Sequence, residues 1–182
     1  LDSKPAAIGF AALDTGAAAD VLSQIEAANI PMIAFDSGVD SDLPLTTVQT
    51  DNYAAAEEAA KHMAELVGNK GTVGLVCHDQ TSQTGKQRCN GFVDYVKANA
   101  ADINLLEPQV AGEVGLAANT AKAMIQANPD IVGVYGTNEA AAKAHGFDLV
   151  VSGEPALFYL RIANDDSLML HQEWVAECVN RG

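Results

Sequence analysis

The stretch AAIGFAALDTGAAADVLSQIEAANIPMIAFDSG, residues 6–38, decides how the rest of the chain is read. It opens on an apolar run, 6–13, short enough for a buried strand, which ends at Asp14-Thr15-Gly16. Val21, Leu22 and Ile25 then recur at helical spacing, predicting a helix over 17–28 capped by Asp14 or Thr15. Asn29 closes that helix, and 30–35 is a second apolar strand ending at Asp36-Ser37-Gly38. Strand, helix and strand packed this closely form a βαβ unit.

The same rhythm continues outward. Further strands are expected over 45–49, 70–77, 103–109 and 131–135, and helices over 53–67, 85–99 and 116–127, with Glu139 opening another. Strands alternating with helices predict an α/β protein built on a mainly parallel sheet. Such sheets take ligands in the crevice outside the carboxyl ends of their strands. That rule selects Asp14, Asp36, the segment 78–88 with Asp79 and Arg88, and Asn138.

Composition limits the partners. A 48% hydrophobic content with 19% charged residues supports a packed core and argues against disorder. The net charge of -14, from 24 acidic and 10 basic side chains, disfavours nucleic acid and anionic membranes, which are bound by neutralising phosphates. No apolar run reaches the roughly 20 residues that span a bilayer. Nothing at Leu1 has the basic start and apolar middle of a signal peptide. The cysteines Cys77, Cys89 and Cys178 include no CxxC pair, and no zinc spacing occurs, so neither a metal nor another cofactor is expected. Cys77 and Cys89 meet only if the loop between them folds back, and the sequence leaves that pairing open.

Four segments in order carry a resemblance: ANIPMIAFDSG (28–38), TVQTDN (47–52), GKQRCNGF (85–92) and NPDIVGVYGTNEAAA (128–142). With them the chain resembles the ribose-binding-like, type I family of periplasmic substrate-binding proteins of ABC transporters. The resemblance implies two three-layer (αβα) lobes with parallel sheets, joined by crossover strands and closing on a sugar like a hinged clamp. Residues 1–48 would be a remnant of the first lobe and 49–142 the second, with 47–52 as the first crossover. Residues 143–182 would be an atypical tail, completing or packing on the second lobe. Asp36 matches the family aspartate that accepts hydrogen bonds from sugar hydroxyls. Arg88 matches an arginine early in the following lobe's helix, and Asn138 an asparagine after a later strand. Carboxylate, guanidinium and amide groups read paired hydroxyls well. A monosaccharide or polyol, an ABC permease and a periplasmic or extracellular location (lipid-anchored in Gram-positive bacteria) are what the resemblance implies.

Departures from the family pattern shape the expectation. Ser37 stands where ribose-type members often carry arginine, and Glu113 takes the place of a pocket aromatic, which turns the reading from ribose toward another sugar. A full member has a further strand-helix-strand-helix unit ahead of the strand at 6–13, so the first lobe is expected to be incomplete. Sugar binding is then expected to be weak or absent, and exposed sheet faces to drive homo-oligomer formation. After Ala142 the match ends. Gly146-Phe147-Asp148 copies a family signature but lies too close to Asn138, while 156–163 is a candidate for the missing strand with Asp165 or Asp166 at its end.

Each candidate also has a plain reading. Asp14 is more readily a helix cap than a ligand, Asp36 and Asn138 also suit capping roles, and Arg88 an exposed helical charge. His78, Asp79 and Ser82 share a loop, but no GxSxG elbow accompanies them, so the chain is expected not to be an enzyme. His62, His145 and His171 show no metal pairing, and Trp174 is expected to anchor the tail by packing. Gly68, Gly71 and Gly74 run into a strand, whereas a dinucleotide loop leaves one. A regulator of the Lac-repressor type shares the implied fold but needs a helix-turn-helix head, which this sequence does not contain. A small hydrolase and an inactive structural fragment complete the alternatives.

Overall fold

Residues 1–138, 140–141, 149–152 and 159–162 are described by a computed structural model. The helices and strands expected over residues 6–135 form, and the described strands collect into two parallel sheets and a small antiparallel pair.

The first sheet has the order β1-β2-β3, with β1 at Ile8–Phe10, β2 at Met32–Phe35 and β3 at Thr47–Val48. β1 and β2 run parallel with Ile8 opposite Met32, and β2 and β3 with Ala34 opposite Thr47. Helix α1, Ala19–Ala27, lays Leu22 and Ile25 on Met32 and Ala34 to make one small core. It starts later than expected, because the Asp14 carboxylate accepts from Ala17 N inside the preceding turn and Ala18 takes the N-cap. Asn29 ends it in the left-handed region, at φ 50°, a conformation asparagine tolerates. Successive strand residues point to opposite faces. On the face away from α1, Ile33, Phe35 and Val48 are 43%, 46% and 64% exposed, so only one face of this sheet is covered among the described residues.

The second sheet is built around β4, Gly71–Cys77. The run is apolar except for Thr72, whose hydroxyl donates to Asp130, as expected for a strand buried on both sides. Val73, Leu75 and Cys77 face α2 (Asn52–Leu66) and α3 (Gln83–Asn99). Val76 faces α4 (Val114–Ala127), where it meets Ala117 and Met124. This is the expected three-layer arrangement. β7, Ile131–Gly136, runs parallel along one edge of β4. The single strand expected over 103–109 is instead two pieces on the other edge, β5 (Ile103–Leu105) and β6 (Gln109–Val110). Pro108, which has no N–H to donate, lies in the gap.

Helices α2 and α3 touch through small residues. Ala56, Ala60 and Ala64 line α2, and a Cβ on Gly91 would stand 2.5 Å from the Tyr53 carbonyl oxygen. Tyr53 also donates to Asp94 at 2.8 Å. Each helix has a side-chain cap, Asp51 accepting from Ala54 N and Ser82 from Gly85 N. Ser82 starts α3 ahead of the expected Gly85, and Glu113 starts α4 ahead of Leu116. A disulfide joins Cys77 to Cys89, so the loop between them does fold back. Cys178, Trp174, His145, His171, Asp165, Asp166 and Gly146-Phe147-Asp148 lie outside the described residues, as does Glu139.

The strand expected within 156–163 exists as β9, Tyr159–Ile162. It pairs antiparallel with β8, Leu149–Ser152, in a separate two-stranded sheet and adds nothing to the sheet around β4. Among the described residues no helix is long and apolar enough to cross a membrane.

Candidate functional site

The strand-end loops of both parallel sheets meet on one side of the molecule. From the first sheet come Asp14, after β1, and Asp36, after β2. Asp36 holds a left-handed backbone at φ 53° and donates its N–H to the Val48 carbonyl, which ties the turn to β3. Its carboxylate is exposed and has no hydrogen-bond partner among the described residues.

Arg88, the sixth residue of α3, is held through its guanidinium. Its Nε donates to Asn52 Oδ1 at 2.8 Å and its Nη1 to the Thr137 carbonyl at 3.1 Å. The guanidinium is thus fixed from the start of α2 on one side and the end of β7 on the other. Thr137 is itself buried, and its hydroxyl accepts from His78 N at 2.7 Å and lies 2.7 Å from His78 Nδ1. Asn138 follows. Its Nδ2 donates to the Gly112 carbonyl, and its Oδ1 accepts from Ala141 N, beside Arg88's anchor. Gly112 has no room for a side chain, since a Cβ there would lie 2.5 Å from the His78 carbonyl oxygen. The next residue, Glu113, is exposed at the N-cap of α4 and makes no side-chain cap.

Asp79 is spent on its own loop. It accepts from Thr81 N, Ser82 N and the Ser82 hydroxyl. Burial alone would raise its pKa, but the hydrogen bonds from Ser82 and Thr81, with His78 3.2 Å away, outweigh that and hold it below the ordinary carboxylate value. Burial lowers the His78 pKa, opposed by Asp79 and reinforced by Arg88. Beneath Arg88, Tyr135 stacks on Phe92, and burial pushes its hydroxyl up to about 12.

The two sets of loops bond directly to each other. Thr15 N and its hydroxyl both donate to the Thr81 carbonyl, and the Thr81 hydroxyl donates to the Leu13 carbonyl. Lys86 Nζ donates to the Thr15 hydroxyl at 3.1 Å, and Gln83 Nε2 to the Val39 carbonyl at 2.6 Å.

Of the residues selected from sequence, Asn138, Asp79 and Glu113 lie in the second sheet's strand-end loops with Arg88 on α3 beside them, and Asp14 and Asp36 in the first sheet's loops. Asp14 and Asn138 each accept from the backbone N–H three residues on, Asp14 in the turn ahead of α1, whose N-cap is Ala18. The sequence reading passed over Asn52, Thr137, Gln83 and Lys86. Asn52 and Gln83 lie inside or beside quoted segments, but nothing in one-letter order marks a buried amide as the partner of a distant arginine. Ser82 turns its hydroxyl to Asp79 and Gly85 N, while His78 bonds Thr137, so the two do not form a nucleophile-base pair. Among the described residues no group of three or more His, Cys, Asp or Glu is placed to hold a metal. An apolar depression bounded by Ile8, Gly9, Pro31, Met32, Ile33 and Leu45 lies at the opposite end of the first sheet and carries no polar chemistry.

Two parallel sheets with helices packed on them, whose strand-end loops carry carboxylates beside a fixed guanidinium, define an α/β protein with open parallel sheets. Residues 1–147 match the family model of the periplasmic binding protein domain, and the chain belongs to that family. It is 25% identical over 150 residues to a D-apiose import binding protein of Actinobacillus succinogenes, covering 77% of this chain and 48% of the relative. Two ABC transporter solute binding proteins from Agrobacterium vitis are similar in structure. One, with bound D-fucose, is 30% identical with a TM-score of 0.75, over 80% of this chain and 51% of that one. The other, bound with alpha-D-tagatopyranose, is 31% identical with a TM-score of 0.74, over 79% of this chain and 52% of that one. The chain spans about half the length of these relatives.

Proposed function

We propose that this chain is the carbohydrate-binding part of a bacterial ABC importer, taking a monosaccharide or polyol and working in the periplasm with a membrane permease. One lobe would be 1–48 and the other 49–142, with 143–182 packed on the second. Asp36, Arg88 and Asn138 would read the sugar hydroxyls, Asp14 and Glu113 would line the rim, and Asp79 would share a carboxylate that also holds its own loop. The observation that carries this reading is Arg88, clamped between Asn52 and Thr137 at the strand ends with Nη2 left to donate. The sugars bound by the similar Agrobacterium vitis proteins support the same ligand class.

Affinity should be weaker than in a complete two-lobed protein, because the first sheet contributes only Asp14 and Asp36 among the described residues. A thermal-shift panel of monosaccharides and polyols, followed by calorimetry, tests this. A ligand at 100 times its Kd adds about 2.7 kcal/mol to stability. Weak, saturable binding lost in Arg88→Ala supports the proposal. No shift with any sugar overturns it, and tight binding overturns the weakening. The uncovered face with Ile33, Phe35 and Val48 is apolar enough to be the contact of a homo-oligomer, with a second copy as its partner.

A further inference from the structure

We infer that Asn52 is a positioning residue for Arg88, holding the arginine from the start of the helix that follows the connection between the two sheets. The inference rests on the reading of Arg88 as a ligand donor, and it adds a residue that touches no ligand. β3 ends at Val48 in the first sheet, and α2 begins at Asn52 against the second, so residues 49–51 are the link. Asn52 is 3% exposed, at the first position of the helix. Its two amide ends are used in opposite directions. Nδ2 donates back to the Thr50 carbonyl in the link at 2.9 Å, and Oδ1 accepts from Arg88 Nε at 2.8 Å. Thr137 supplies the second anchor through its carbonyl, and the neighbouring Cys89 is held to Cys77, so backbone and side chain of Arg88 are both restrained. With Nε and one Nη1 hydrogen engaged, the Nη2 donors are presented in one orientation, which reduces the ordering cost that a ligand would otherwise meet.

The test compares the full chain with Asn52→Ala and Asn52→Asp. Aspartate keeps the acceptor for Arg88 and loses the donor to Thr50. The first readout needs no sugar: the Arg88 Nε–Hε signal in 15N spectra and its exchange with water. Slow exchange in the parent and in Asn52→Asp, with fast exchange in Asn52→Ala, is expected. Fast exchange in the parent, or equal exchange in all three, overturns the inference. If Asn52→Ala does not fold, the parent and Asn52→Asp still decide it, since loss of protection in Asn52→Asp is the overturning result. The second readout is monosaccharide affinity, which should fall about tenfold in Asn52→Ala and recover to within about threefold in Asn52→Asp. Loss of affinity in Arg88→Ala with none in Asn52→Ala sinks the inference and leaves the binding reading intact. Absence of sugar binding in the parent sinks the binding reading, while the Nε–Hε signal still decides the role of Asn52.

Discussion

Removing the buried bridge should cost this protein about 3 kcal/mol. Cys77 closes β4 and Cys89 lies on the buried face of α3, with 12 residues of separation between them. Cross-linking a loop of that size takes about 10 cal/mol/K from the unfolded chain, from roughly 2.1 plus 1.5R times the logarithm of the loop length, or about 3 kcal/mol at 25 °C. The double variant Cys77→Ala/Cys89→Ala returns that entropy to the unfolded state and leaves two small side chains in a core shared with Phe92 and Leu75. With a urea dependence of about 1–3 kcal/mol/M, the midpoint should fall by about 1–3 M. Urea melts followed by circular dichroism would compare the oxidised parent, the parent with reductant and the double variant. The last two should nearly coincide. Of the three cysteines in the sequence, one thiol should titrate in the denatured, oxidised parent, that of Cys178. A midpoint moving by less than about 0.3 M at unchanged slope would show that the unfolded chain gains little freedom, and the loop argument would be wrong.

Acid should destabilise the chain in two stages. His78 has a lowered folded pKa, so the unfolded histidine takes up its proton first, near pH 6.5, and stability declines as pH falls from about 7 toward the lowered value. Asp79 is held below its ordinary value, so its contribution is present above about pH 3.9 and lost as pH falls through the folded value. Urea midpoints against pH should show a flatter slope between about 7 and 5 in His78→Asn, and an unchanged slope would remove His78 from the account. Phe35→Lys should shift an oligomer toward monomer in light scattering, and a parent chain that is monomeric at high concentration contradicts self-association through this face.

Much of the fold is legible in the sequence because burial writes a plain pattern. β4 is apolar at alternate positions facing two different helical layers, so it reads as an uninterrupted hydrophobic run whichever layer is considered. Boundaries were less legible where a side chain competes with the helix. Asp14 satisfies an amide ahead of α1 and delays its start. The division of β5 from β6 depends on which part of β4 each reaches, which apolar spacing does not encode. The candidate site was legible as strand-end positions, since topology alone sends Asp14, Asp36, Arg88 and Asn138 to one side. The partners of Arg88 were not, because Asn52 and Thr137 approach it from 36 and 49 residues away in sequence, and polar pairing at that range leaves no periodic trace.

The bonds that join Thr15 to Thr81 and Lys86, and Gln83 to Val39, carry a kinetic consequence. On the proposed reading, an occupant held beneath these loops would enter only during the intervals when those bonds part. Its association rate would then be set by the frequency of opening, below the diffusional limit, and its apparent affinity would be reduced by the fraction of time spent shut. Loosening the latch at Lys86 or Gln83 would speed entry and exit together, whatever the chemistry of the molecule inside.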